Sequence, residues 1–176
     1  MITEREIEFL KESNAIEGEY SDEAMKDALD SWKFAKQCMI NGGDIDIQMI
    51  KNIHQRLMQN INPKIAGKIR TCPIYVGNRI EYRECLKPEK INRELKKWCK
   101  EGNIKFLHSP KDSASDSIEK IHVKFEEIHP FEDGNGRVGR ILMNIQRIRS
   151  CMSILIIHEG REQQDYYKWF KKEAQV

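Results

Sequence analysis

Between His129 and Arg140 the chain places a base, a carboxylate, two arginines and the run Gly134-Asn135-Gly136. The run tolerates positive φ, so successive backbone N–H groups can turn toward one point. The residues after it are predicted to be helical. Val138, Ile141, Leu142, Ile145 and Ile148 recur at helical spacing and make one apolar face, with Arg137, Arg140 and Asn144 beside it. A glycine-rich turn feeding a helix N-terminus that carries arginines is an anion site by dipole and by charge. Guanidinium forks suit phosphate oxygens. Asp133 stands at the mouth of the turn, where a single carboxylate can hold a Mg²⁺ that bridges phosphates. His129 precedes the turn, and an imidazole there can take a proton from an attacking hydroxyl. Together these residues point to nucleotide-dependent group transfer with His129 as base. Taken singly they allow plainer readings: an ordinary turn, a structural histidine, or His129 and Asp133 as ligands of a hydrolytic metal.

The string His-Pro-Phe-x-Asp-Gly-Asn-Gly-Arg-x-x-Arg, matched without departure from His129 to Arg140, resembles the signature of the Fic (filamentation induced by cyclic AMP) domain. The resemblance implies a compact all-α bundle with a small β-hairpin flap, transferring AMP from ATP to a hydroxyl of a protein. By position, His129 is then the general base and Asp133 the Mg²⁺ ligand. Gly134, Asn135 and Gly136 form the anion hole, with Arg137 on the phosphates and Arg140 on the terminal phosphate; Phe131 is a buried anchor. The related Doc-type kinases carry a lysine and fewer glycines where this chain has Gly136-Arg137, which favours AMP transfer over phosphate transfer.

Upstream, Ser13-Asn14-Ala15-Ile16-Glu17-Gly18 is by itself a helix end, with Ser13 and Glu17 on one face and an anion where the helix dipole disfavours it. Beside the signature, Ser-x-x-x-Glu-Gly looks like the family's inhibitory motif, in which the glutamate pairs with the second signature arginine, here Arg140. One carboxylate then competes with one phosphate for one guanidinium. Residues 1–18 are accordingly expected to be an inhibitory helix. Residues 70–83 are expected to be the flap, a hairpin with a two-residue Gly77-Asn78 turn between Ile74-Tyr75-Val76 and Arg79-Ile80-Glu81-Tyr82. The resemblance places Tyr75, Val76 and Gly77 at a target groove that takes an extended segment by strand addition. It also matches Gly67 to Arg70 to the family's Gly-x-x-Arg lead-in.

The remaining positioning elements are read from pattern. A helix over 3–17 carries Ile7, Leu10 and Asn14 along one side. Ser21 caps a helix over 22–40 ended by Gly42-Gly43, and Asp44 or Asp46 caps one over 46–60 whose stripe includes His54, read as a packed histidine. Pro88 opens a helix to Lys100. Asp112 or Ser113 opens the helix into the signature, with Ile118, Ile121, Phe125 and Ile128 as its stripe and His122 as a core histidine supporting the site. Residues 154–157 read as a buried segment. A helix over 160–174 has Tyr166, Tyr167, Trp169 and Phe170 as core, and the resemblance to the Fic domain implies one tyrosine at the border of the adenine.

At 176 residues, 39% hydrophobic and 33% charged, the chain is expected to be a single domain, 1–176. A net charge of +2 gives no electrostatic case for nucleic acid or a membrane surface. No apolar run approaches the ~20 residues of a membrane span. The N-terminus lacks a signal peptide's apolar segment. Five scattered cysteines, none in a C-x-x-C pair, argue against a disulfide framework or zinc site and for a cytoplasmic setting. The expected partners are ATP and a target protein, itself included, with a homo-oligomer open. The rival functions are phosphoryl transfer or AMP removal at the same site, and a non-catalytic nucleotide-binding or antitoxin-type module.

Overall fold

The computed structural model describes residues 1–77 and 82–170. Among them are seven helices and one two-stranded antiparallel sheet. In order these are α1 (Glu4–Ala15), α2 (Asp22–Ile40), α3 (Ile47–Met58), β1 (Tyr75–Gly77), β2 (Tyr82–Glu84), α4 (Pro88–Gly102), α5 (Lys111–Ile128), α6 (Asn135–Arg149) and α7 (Arg161–Lys168). No described helix is long and apolar enough to cross a membrane.

The bundle is built around α6. Every residue from Arg137 to Gln146 is buried, so the helix is enclosed on all sides rather than along the one apolar face its periodicity suggested. Around it α2 contributes Ala28 and Trp32, α3 Ile50, Ile53 and Leu57, α4 Leu95 and Trp98, and α5 Ile121 and Phe125. Local signals set the starts of α2 and α3. The Ser21 hydroxyl accepts from the Ala24 N–H at 3.1 Å, and the Asp46 carboxylate from the Met49 N–H.

Four expectations are corrected. In α1, Ile7 is exposed while Phe9 and Leu10 are buried, because the helix docks on α2 through an edge-on Phe9–Trp32 contact, 5.3 Å between ring centroids. The helix α5 starts at Lys111 behind Pro110, with no side-chain cap. The described part of α7 stops at Lys168, and Tyr167 on it is exposed, Tyr166 alone of the pair lying in the core. The flap's turn is not Gly77-Asn78: Gly77 is a strand residue paired with Tyr82, and the second arm is Tyr82–Glu84. The expected positions 78–81 fall outside the described residues, as do 171–174 of the last helix.

One buried arginine fastens the loop before the flap to the end of α5. Arg70 gives Nε to the His129 carbonyl at 2.7 Å, Nη1 to that of Cys72 at 2.9 Å, and Nη2 to those of Leu86 at 2.5 Å and Ile128 at 3.4 Å. Its own N–H donates to the Pro130 carbonyl at 3.0 Å. The Gly-x-x-Arg lead-in therefore ends on a group that satisfies four carbonyls at once. Leaving buried acceptors without donors costs ~1–3 kcal/mol each. Arg70→Met should therefore lower the unfolding free energy by ~3 kcal/mol in urea titration. A loss under ~1 kcal/mol would show that Arg70 does not hold this junction.

Candidate active site

His129 sits at the C-cap of α5 with φ 48° and ψ 65°, a left-handed conformation that a non-glycine residue holds at a cost of ~1–2 kcal/mol. Three bonds around it hold this conformation: its N–H to the Phe125 carbonyl, its carbonyl to Arg70, and the Pro130 carbonyl to the Arg70 N–H. In the ring, Nδ1 lies 3.3 Å from the Glu126 carbonyl. A carbonyl only accepts, so Nδ1 carries the proton and Nε2 keeps its lone pair. Burial lowers the imidazole to about 4; the bond to Glu126 opposes that, and Arg83 and Arg70 add to it. At neutral pH His129 is an unprotonated base.

Next comes a loop whose shape is set by residues far apart in sequence. Asn135 turns its side chain inward, accepting the Phe131 N–H and donating to the Phe131 carbonyl, both at 2.9 Å. Phe131 is fully buried and stacks on His54, ring centroids 3.7 Å apart and 2° from parallel. His54 Nδ1 accepts the Gly67 N–H at 2.9 Å, which leaves Nε2–H to donate to the Asp133 carbonyl at 3.0 Å. Burial holds this histidine near 4, neutral as the tautomer requires. His54 is thus a packed histidine, as expected, and also a brace that positions the Asp133 backbone. The Asp133 side chain is exposed; its Oδ1 accepts the Gly134 N–H at 2.6 Å. No cluster of three metal-ligating side chains occurs among the described residues. Asp133 therefore fits a Mg²⁺ that arrives with phosphate oxygens, not an all-protein metal centre.

Gly134 is the N-cap of α6, φ 75°, with no side-chain cap. The first intrahelical bond runs from the Val138 N–H to the Gly134 carbonyl, so the amides of Asn135, Gly136 and Arg137 precede the helix ladder. Asn135 contributes to this cradle through its backbone only. The Arg137 side chain is buried, yet Nε and Nη1 have no partner among the described residues, and Nη2 meets only the Met58 sulfur at 3.3 Å. Burial pushes its pKa down, with Asp133 the largest opposing influence. A buried, half-satisfied guanidinium beside free helix amides is a place for an oxyanion.

Arg140 is fully engaged. Nε donates to Ser13 Oγ at 2.9 Å, Nη2 to the Ser13 carbonyl at 2.8 Å and to Glu17 Oε1 at 2.7 Å, and Nη1 to Tyr166 OH at 3.4 Å. The Glu17 carboxylate lies directly over Gly136: a Cβ at residue 136 would meet Oε1, so the carboxylate could stay on Arg140 only by shifting. The structure thus brings the Ser13/Glu17 helix end and the second arginine together.

The flap stands beside the base. β1 and β2 pair Tyr75 with Glu84, Val76 with Arg83 and Gly77 with Tyr82. Arg83 anchors it, donating Nη2 to the Glu126 carbonyl at 3.2 Å. Tyr75 and Gly77 are exposed and Val76 is half-buried, and in a two-stranded sheet β1 keeps an unpaired edge among the described residues. Sequence reasoning does not single out Glu126, a buried carboxyl within 3.8 Å of His129 Nδ1, nor the roles of His54 and Tyr166. His54 acts through neighbours distant in sequence, and Glu126 matters only because its carboxyl is buried, which no local pattern reports. The aromatic pattern marks Tyr166 only as core, and the family resemblance marks one tyrosine of the pair only as an adenine border, yet Tyr166 touches both Arg140 and His122, the latter through a 2.9 Å bond.

The Fic/DOC family model matches residues 44–146. The protein adenylyltransferase fic-1 of Caenorhabditis briggsae is 36% identical over 117 residues, 65% of this chain and 21% of that relative. The chain thus spans about a fifth of the length of this curated relative. Among solved structures, a variant fragment of Fic-1 from C. elegans superposes with TM-score 0.79 at 21% identity, covering 96% of this chain and 56% of that one. A Fic domain-containing signaling protein from Bacteroides thetaiotaomicron gives 0.73 at 22% identity, with 93% and 68% covered. These matches share the helical fold described above, and the family match contains the whole signature with its base, so the chain belongs to the Fic/DOC family.

Proposed function

We propose that this chain is a protein adenylyltransferase, moving AMP from ATP to a serine, threonine or tyrosine hydroxyl of a protein, and that Glu17 holds it in an inhibited state. One observation carries the reading: the Glu17 carboxylate lies over the α6 N-terminus on Arg140, so the cradle already accepts an oxyanion at that point. Relatives that carry the adenylyltransferase name support the chemistry.

His129 Nε2 takes the proton of the target hydroxyl, and the oxygen attacks the α-phosphorus in line as the bond to diphosphate breaks. The amides of Asn135, Gly136 and Arg137 and the buried Arg137 side chain hold phosphate oxygens. Arg140 would take the terminal phosphate once Glu17 has left it. Asp133 would hold Mg²⁺, which supplies charge neutralisation across the phosphates. Positioning and charge stabilisation dominate such transfers. The target's backbone would pair with the open edge of β1 at Tyr75, Val76 and Gly77.

Glu17→Gly is expected to raise transfer of label from α-labelled ATP. A charged hydrogen bond worth ~1.5–3 kcal/mol corresponds to ~10–100-fold in competition for Arg140. Arg140 keeps Ser13 and Tyr166 in that variant, so it stays in place. Unchanged, near-zero labelling in a folded Glu17→Gly protein that binds ATP would count against the inhibitory contact.

In the same background His129→Ala should reduce labelling ~10²–10⁴-fold, the usual worth of a general base. Labelling that survives this change would remove His129 from the chemistry. Label arriving from γ-labelled ATP instead would make the reaction phosphoryl transfer.

A further inference from the structure

The side chain of Glu126 is taken up by none of the steps above. It lies one turn before His129 on α5, 8% exposed, and its Oε1 has no hydrogen-bond partner among the described residues. Its Oε2 is 3.8 Å from His129 Nδ1, and its carbonyl is 3.3 Å from the same nitrogen. One residue therefore faces the rear of the base with both main chain and side chain. The carboxyl reaches this place because residue 139 is glycine: a Cβ there would collide with Glu126 Oε1 and with the His122 ring. His122 Nδ1 is the other buried atom at this spot without a hydrogen-bond partner among the described residues.

The charged and titratable groups around the carboxyl come from five elements. They are Arg140 on α6, Glu17 after α1, Arg83 on β2, Tyr166 on α7, and His122 and His129 on and at the end of α5 itself. Burial pushes the carboxyl up to about 8, with Arg140 pulling the other way and Glu17 adding to the rise. It is a neutral acid next to a neutral imidazole below that pH. Once ionised, its charge lies close to a ring that must turn positive when Nε2 gains a proton, and an anion there favours the imidazolium.

We propose that Glu126 is a positioning residue for the base: its carbonyl fixes the Nδ1–H tautomer, and its carboxylate form strengthens His129 as a proton acceptor. The inference rests on the transfer reading for its catalytic consequence, but not for its structural one. The proton that Glu126 gives up as pH rises passes to solvent, and the hydroxyl proton goes to Nε2.

The sign of the stability effect is fixed by the same placement. Folded Glu126 keeps a proton that the unfolded chain releases above its ordinary value of 4.5. Measured against the unfolded chain, this contribution is complete below that pH and is lost as pH climbs toward about 8. His54, His122 and His129 have folded values of about 4, 3 and 4, so their opposite effect is complete once pH exceeds 6.5. Between pH 6.5 and 8 Glu126 is the group among these four that lowers stability as pH rises.

Glu126→Gln reproduces the shape of the neutral acid and cannot ionise, so it should fold, and Glu126→Asp keeps the acid but withdraws it by one methylene. Three readouts on the full chain decide the matter. Ring NMR titration of His129 should show, besides the ring's own protonation at low pH, a second shift through about 8 in wild type that Glu126→Gln lacks. Urea unfolding should show a decline between pH 6.5 and 8 that is steeper in wild type than in Glu126→Gln. In the Glu17→Gly background, label transfer should rise with pH through about 8 when Glu126 is present. Glu126→Gln should lose that rise and run about tenfold slower at the top of the range. Glu126→Asp should fall between the two.

Identical His129 titrations in wild type and Glu126→Gln overturn the proposal. So does a rate loss that is uniform across pH, which would be a merely structural effect. If the Glu17→Gly parent transfers no AMP at all, the adenylyltransferase reading fails, while the NMR and unfolding titrations still decide the role of Glu126.

Discussion

Two guanidinium groups are taken out of water by α6, and a buried cation needs an anion or a ring of acceptors to stay there. Arg140 has both, in Ser13 and Glu17. Arg137 has neither: among the described residues a methionine sulfur is its one hydrogen-bond partner, and two of its nitrogens are unpartnered. The rest of the site depends on this difference. One arginine is satisfied by the protein's own carboxylate, which under the proposed function competes with the anion that would come to it. The other keeps its capacity for a ligand, beside three helix amides and a glycine that gives the ligand room.

Such a site works only if the backbone around it does not move, and several long-range contacts are devoted to that. Arg70 pins the carbonyls on either side of the flap's base and at the end of α5. His54 stacks on Phe131 and bonds to both Gly67 and Asp133. Asn135 closes the loop onto Phe131 with two bonds. The strained conformation of His129 persists because the chain on both sides is held. In effect, residues before the flap fix the geometry of the signature loop far downstream, which joins the two halves of the chain into one functional unit.

Much of this is legible in the residues. The cradle, the two arginines and the base lie within one short stretch, so local chemistry announces them, and Ser13 and Glu17 meet Arg140 as their family pattern implies. Caps at Ser21 and Asp46 place two helices correctly because a cap is a local signal. The errors come where tertiary contact outweighs local preference. Phe9 displaces Ile7 from the core because Trp32 of α2 is there to receive it. Gly77 joins a strand although its type favours a turn, since pairing with Tyr82 sets the register. The Asn135 side chain braces the loop on Phe131 while its amide stays in the cradle, a contact that no local pattern reports. Glu126 carries no sequence signal, because a glutamate one turn before a histidine is ordinary until burial removes its water.

The central claim is that Glu17 and a nucleotide's terminal phosphate compete for Arg140. Calorimetric titration with ATP and with AMP, in the presence of Mg²⁺, tests it without requiring any turnover. The account predicts that the wild-type chain gains little affinity from the added phosphates, whereas Glu17→Gly prefers ATP over AMP by ~10-fold or more. Equal ATP-to-AMP preference in the two proteins would mean that the carboxylate and the phosphate do not share the guanidinium, and would contradict the account.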